Sequence, residues 1–417
     1  MNLVVLIIAI IVYSILIFRK LIKIPPWVIM SLGAMLMLTS GTLSLNEALQ
    51  SINLSVILFL ITLFIFASAL EISGFLSYIA YRIVTKYNNS KTMLFFLFLY
   101  SAILSNLITN DGVAASFTPV ILEISKLKGI SEIPLLYTIA MGVTIGSVML
   151  PTGNPQNLLI ALSQGLPSPF ITFILVLGIP TIINILLSYP IIYLFFKNMM
   201  KNYDVNKIEL TNIKIHDEKL AKLSLILLII TIILFFIFSL LKIDILLASI
   251  ITSTILLLLT SKRREIVKNM DWMTIIFFIN LFIFTEGLVK GGVVQFITQY
   301  FPLDSILSIF LVSIIVSQLI SNVPLVALIL AAYQNHLGPL ELLALAAGST
   351  IAGNFTVLGA ASNIIISEAS ETRGGKGFEF FEFIKYTFPI LIINVIIYYL
   401  YIIYIGNLVL KIYIGNF

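Results

Sequence analysis

The chain lacks cysteine altogether and has only two histidines, His216 and His336, in 417 residues. No disulfide framework or thiolate metal site can form, and both histidines fall in polar connections, so zinc and haem chemistry find no ligands. Charge is scarce as well, at 10% of residues against 60% hydrophobic, with a mean hydropathy of +1.12. So little polar surface cannot cover a water-soluble globule, which makes this an integral membrane protein surrounded by a lipid bilayer. A nucleophile beside a base, or a metal set, is equally missing, so the sequence predicts no enzyme and no cofactor. The net charge of +5 implies no nucleic-acid partner, because the placement of the basic residues has a simpler account.

Long apolar runs are what the chain has instead. Their lengths bracket the ~20 residues that cross a ~30 Å hydrocarbon layer, and they lack the alternation of barrel strands, so the predicted class is all-α and polytopic. Lysines and arginines cluster at Arg19–Lys23, Arg82–Lys91, Lys126–Lys128, Lys197–Lys222, Lys262–Lys268 and Arg373–Lys385, leaving only Lys242, Lys290 and Lys411 elsewhere. Placing those clusters in the cytoplasm fixes the path. Full crossings are predicted at 3–18, 27–43, 53–71, 134–163, 170–196, 223–241, 245–260, 272–289, 340–369 and 386–405. The stretch 92–125 starts and ends beside lysines and is interrupted at "SNLITNDG" (105–112), which predicts a re-entrant hairpin. The stretch 303–333, broken at "SNVP" (321–324), is its counterpart from the other side. Both termini are then outside.

The chain matches itself in three places. "ILFLITLFIFASALEISG" (57–74) aligns with "IIFFINLFIFTEGLVKGG" (275–292), "SAILSN" (101–106) with "SQLISN" (317–322), and "AMGVTIGSVMLPTGNPQN" (140–157) with "AAGSTIAGNFTVLGAASN" (346–363). The order is the same in both copies. Each copy has five crossings, an odd number, so the copies insert with opposite orientation, as in many secondary transporters. The predicted organisation is a first repeat at 1–196, a cytoplasmic linker at 197–222 and a second repeat at 223–417.

Helix-breaking residues fall at matched points inside the apolar runs. Unwound backbone at membrane depth is tolerable only where it is buried in protein or lines a watery cavity. There it offers half-helix N-termini to an anion and bare carbonyls to a cation. Four such breaks are predicted: hairpin turns around Ser105 and Asn106 and around Ser321 and Asn322, and interruptions at Thr152–Asn157 and Leu358–Asn363. They should converge near the bilayer midplane. The anionic substrate is expected on Ser105, Asn106, Thr109, Thr152, Gly153, Asn154, Ser321, Asn322, Thr356, Gly359 and Ser362, since no lysine or arginine lies in a span core. Sodium, as a coupling ion, is expected on the amide oxygens of Asn106, Asn157, Asn322 and Asn363. Asp111 breaks the symmetry, its partner in the "SN" alignment being Ala327. A carboxylate at depth costs roughly 2.5–3.5 kcal/mol on insertion scales, so it should ligate a cation or carry a proton.

"SNLITNDGVAASFTPVIL", "PTGNPQNLLI" and "GNFTVLGAASNIII" resemble signature stretches of the ion transporter superfamily, and the resemblance covers essentially the whole chain. That group holds arsenite permeases of the ArsB type, citrate and divalent anion symporters, and D-type sodium/proton antiporters. The resemblance implies a homodimer whose transport domain carries the hairpins and moves in an elevator-like shift. In its carboxylate-carrying members Ser-Asn-Thr at each hairpin tip touches substrate and sodium; here the tips read "SNL" and "SNV". The expectation is secondary active transport of a small anion, a di- or tricarboxylate or an inorganic oxyanion, coupled to sodium or protons. Arsenite efflux and sodium/proton antiport are the alternatives.

Overall fold

A computed structural model describes residues 1–18, 22, 24–87, 89–163, 165–200, 213–300, 303, 305–333 and 336–414. Most of the basic cluster at 19–23, and residues 201–212 of the expected linker, lie outside the described residues. The described residues are helical, with no β-strand among them. In lipid this is the economical solution, because a helix satisfies its backbone N–H and C=O groups within one segment.

The first half contains α1 (Leu3–Ile17), α2 (Pro26–Thr39), α3 (Leu45–Ser51), α4 (Leu54–Ile72), α5 (Phe75–Lys86), α6 (Ser90–Ile108), α7 (Asn110–Lys128), α8 (Ile133–Gly146), α9 (Pro155–Ala161) and α10 (Pro169–Phe196). The second contains α11 (Glu218–Leu240), α12 (Ile245–Leu259), α13 (Arg263–Lys268), α14 (Trp272–Lys290), α15 (Val293–Tyr300), α16 (Ile306–Ile320), α17 (Asn322–Tyr333), α18 (Pro339–Ile351), α19 (Ala361–Thr372) and α20 (Phe380–Ile412). Among the described residues, six of these helices are long and apolar enough to cross a membrane: α4, α6, α10, α11, α14 and α20.

Each half uses the same local devices. The Asn53 side chain accepts from Val56 N at the start of α4, and Asp271 accepts from Thr274 N at the start of α14, which satisfies orphan donors at both helix starts. Both helices end at a glycine with positive φ, Gly74 (78°) and Gly292 (74°), where a side chain would be strained. After each glycine runs a helix the sequence reading passed over, α5 or α15. Their apolar faces pack on α7 and α17 respectively.

The halves are interleaved rather than side by side. α2 lies along α14, and α4 along α12. The short helices cross over too. α3 packs on α14, where Glu47 Oε1 meets Lys290 Nζ at 2.6 Å, and α13 packs on α4, where the Ser68 hydroxyl donates to Ile266 O at 2.8 Å.

The two broken stretches fold as hairpins, but the first turns four residues later than expected. Its helices part at Thr109 (φ 96°, ψ 148°), not at Ser105 and Asn106, which stay inside α6. The second parts at Ser321 (φ 73°, ψ 162°). Both tips therefore hold a hydroxyl residue at positive φ followed by asparagine, Thr109–Asn110 and Ser321–Asn322. Such backbone costs about 1–3 kcal/mol for a residue other than glycine and persists only where its surroundings impose it. In this register Asp111 corresponds to Val323, not to Ala327.

Candidate functional site

Both interrupted spans break the same way. α8 ends at Gly146, a single 3-10 turn covers Pro151–Gly153, and α9 resumes at Pro155. α18 ends at Ile351, 3-10 turns cover Ala352–Asn354 and Val357–Gly359, and α19 resumes at Ala361. Glycine is required inside each break by close backbone approach. A Cβ on Gly153 would lie 2.1 Å from Ser147 O, and one on Gly359 2.3 Å from Ala352 O.

Hydrogen bonds tie each hairpin to the break of its own half. Asn106 Nδ2 donates to Ala102 O (3.0 Å) and to Gly146 O (2.7 Å); Gln318 Nε2 donates to Ile314 O (2.8 Å) and to Ala352 O (3.0 Å). Asn106 thus corresponds to Gln318, a residue the sequence reading missed. The breaks hold themselves alike, with Asn157 Nδ2 on Ser147 O (3.0 Å) and Asn363 Nδ2 on Gly353 O (2.7 Å). Two hydroxyls add to these ties. Thr152 Oγ1 donates to Asn106 O (2.5 Å), and Thr356 Oγ1 donates to Gln318 Oε1 (2.7 Å). Ser105 makes no such tie, its hydroxyl returning to Ala102 O of its own helix at 2.9 Å.

Other contacts cross between halves. α7 packs on α19, and α17 packs on α9. Asn154 Nδ2 reaches Thr350 Oγ1 at 3.1 Å, and that hydroxyl lies 3.2 Å from Asn157 Oδ1 as its donor. Asp111 of the first hairpin lies beside the backbone of Ser362 at the start of α19. The four interruptions are thereby joined in one buried cluster.

The N-termini of the resumed helices are capped differently. Asn154 caps its own helix, its Oδ1 accepting from Asn157 N at 2.8 Å. Ala360 has no side chain to do so for α19, and Asp111 from the first hairpin lies beside that helix start. Thr109 Oγ1 accepts from Gly112 N (3.2 Å) at the first tip.

Several buried acceptors in the cluster have no hydrogen-bond partner: Asn106 Oδ1, Asp111 Oδ1, Asn322 Oδ1, Ser362 Oγ, Asn363 Oδ1 and Thr144 Oγ1. Buried polar atoms left unmatched are uncommon in native proteins, and each calls for water, an ion or a ligand. Asn157 Oδ1 differs, being engaged by Thr350. A cavity of about 220 Å³ leads to this cluster from the end of α4. Thr109, Asp111 and Pro155 line it from the hairpin and break, and Glu71, Asp271 and Thr274 from the ends of α4 and α14.

The comparisons agree with this architecture. An uncharacterized transporter of Mycobacterium tuberculosis is 24% identical over 365 residues, covering 80% of this chain and 83% of that one. A protein of Dictyostelium discoideum named as an arsB transporter is 30% identical over 189 residues, 45% of this chain but only 33% of that protein. Among solved structures, the YdaH transporter of Alcanivorax borkumensis shares the fold with a TM-score of 0.50 at 12% identity, over 91% of this chain and 98% of that one. The citrate transporter family model, CitMHS, matches residues 4–338. The chain therefore belongs to the citrate transporter family, within the ion transporter superfamily, and is a multi-pass membrane solute transporter rather than an enzyme.

Proposed function

We propose that this chain is a secondary active transporter of a small anion, a di- or tricarboxylate or an inorganic oxyanion, coupled to sodium or protons. One observation carries the reading: four helix interruptions meet in a single buried cluster whose acceptor oxygens lack partners. Peptide dipoles and bare oxygens at depth suit a charged solute and its coupling ion, and they are costly for anything else. The halves 1–196 and 223–417, joined by a cytoplasmic linker at 197–222, serve as inverted repeats with both termini outside. The hairpins and broken spans move together in an elevator-like shift against the interleaved helices of a homodimer.

A second reading has its own support. The arsB name of the Dictyostelium relative, and the lone Asp111 at a hairpin tip, favour arsenite efflux or sodium/proton antiport. Uptake into proteoliposomes separates the two. Radiolabelled citrate, succinate, sulfate and arsenite are offered under imposed sodium or pH gradients. Accumulation of one anion driven by one gradient is the expected result. Sodium-dependent proton flux with no anion movement would replace the first reading by antiport, and no gradient-driven flux of any kind would end both.

A further inference from the structure

The sequence pattern suggests two equivalent cation cages, one per repeat, built on asparagine amides. The structure points elsewhere. The first repeat's Asn157 oxygen is occupied by Thr350, whereas the unpartnered oxygens of Asp111, Ser362 and Asn363 come from two elements that meet, the tip of the first hairpin and the start of α19. We propose that the Asp111 carboxylate and the Ser362 hydroxyl, with Asn363 beside them, form one sodium site per chain, shared between the repeats. This assignment rests on the transporter reading above.

The geometry supports it in three ways. First, Asp111 Oδ1 is buried without a partner on α7, which packs against α19 with the Ser362 backbone beside the carboxylate. Ser362 and Asn363 are wholly buried, and each carries an oxygen that nothing else satisfies. Hard cations take such carboxylate, hydroxyl and amide oxygens. Second, the charge balance favours a cation. Once ionised, Asp111 carries a full negative charge against roughly +0.5 elementary charge from the N-terminus of α19, so the pair is net negative. A bound cation completes that balance, whereas an anion would meet the carboxylate. Third, the cavity that Asp111 lines is also lined by Glu71 and Asp271, and none of its described lining residues is basic. Ile365, three positions after Ser362 and so on the same helix face, lines it as well. Like-charged walls concentrate counter-ions, so the cavity is an approach route for a cation.

The equivalent place in the other repeat, where α17 meets α9, has Val323 instead of a carboxylate. It is left for the solute, which gains the uncommitted Asn322 oxygen and the backbone of the second tip.

The test is a cation titration of the full-length protein in detergent, read as the thermal unfolding midpoint in sodium chloride against choline chloride at constant ionic strength. A ligand that binds only the folded state raises that midpoint in a saturable way. The wild type is expected to show such a sodium-specific rise. Asp111→Asn and Ser362→Ala, each referred to its own midpoint in choline, should need about tenfold more sodium, or more, for half the effect. Asp111→Glu, which keeps the charge, should retain a measurable sodium response. Ser362→Ala serves as the independent probe should Asp111→Asn fold poorly. A wild type indifferent to sodium, or both variants titrating like the wild type, overturns the site. Gradient-driven anion uptake that survives in that case leaves the transporter reading standing. A sodium response that depends on Asp111 and Ser362 in a protein that moves no solute defeats the transporter reading instead.

Discussion

The two hairpin-and-break units are the same machine built to two tolerances. In the first, Gly146 lets α8 approach so closely that a Cβ there would lie 2.2 Å from Ala102 O, and the short Asn106 spans the gap. In the second, Ala352 stands at the matching place and the amide is Gln318, one methylene longer. Side-chain reach and helix spacing have been exchanged against each other while the hydrogen bond is kept. A second difference concerns satisfaction. Thr350 closes the Asn157 oxygen, yet its counterpart Thr144 leaves Asn363 open, and both of those atoms lack partners. A third is charge, Asp111 against Val323. The two units therefore share how the backbone is broken and differ in what the break offers.

The sharpest way to break this comparison is at the paired asparagines. Asn363→Ala and Asn157→Ala each free a buried carbonyl and should lower coupled transport by about 10- to 100-fold, with the protein still monodisperse. Gradient-driven uptake in proteoliposomes checks this, and normal transport in both variants would remove the breaks from the mechanism. Only Asn363→Ala should also change the sodium dependence.

Next in size is the spacing. Gly146→Ala is expected to destabilise by about 1–3 kcal/mol through overpacking. Combining it with Asn106→Gln copies the second unit into the first and should recover part of the loss, a coupling of about 1 kcal/mol in a double-mutant cycle of thermal unfolding. Strict additivity would show that reach and spacing are not exchanged.

Smaller still is the hydroxyl contrast. Thr350→Val should cost about 1–2 kcal/mol because it strips a donor from Asn157, whereas Thr144→Val, whose hydroxyl bonds nothing, should be close to neutral in choline. Equal costs would mean that the two breaks are equally closed.

The smallest effect belongs to the crossover pair outside the spans. The hydrogen bond from Lys290, helped by those from Ser44, holds the Glu47 carboxyl down at about 2. A depressed carboxyl stabilises the fold above its ordinary pKa and loses that contribution as pH falls through its folded value. Glu47→Gln should therefore lower the unfolding midpoint slightly at neutral pH and make no difference near pH about 2. Because the pair is exposed, high salt should erase the gap.

The broken spans were legible because their breaks carry proline, glycine and asparagine at matched spacing; the relation of 157 to 363 also holds for the contacts each residue makes. The first hairpin turn was not legible. "SN" at 105 and 106 looks identical to "SN" at 321 and 322, but four residues is close to one helical turn, so sliding by four keeps every apolar side chain on nearly the same face. Only the backbone at Thr109 separates the two registers. Gln318 was hidden by the same slip, which set it opposite Ala102. Asp271 and Glu71 sit at helix ends where acidic residues are ordinary, and nothing linear in the chain says that they share a cavity with Asp111. α5 and α15 were passed over because a half-apolar helix lying between spans leaves no long hydrophobic run.

The interleaving of the halves has a consequence for biosynthesis. Until α11 to α20 have been made, α2, α4 and α7 each lack one of the helices they pack on, α14, α12 and α19 respectively. A first half made alone therefore leaves those helix faces uncovered. Genes cut between the repeats should yield a working carrier only when both pieces are synthesised together.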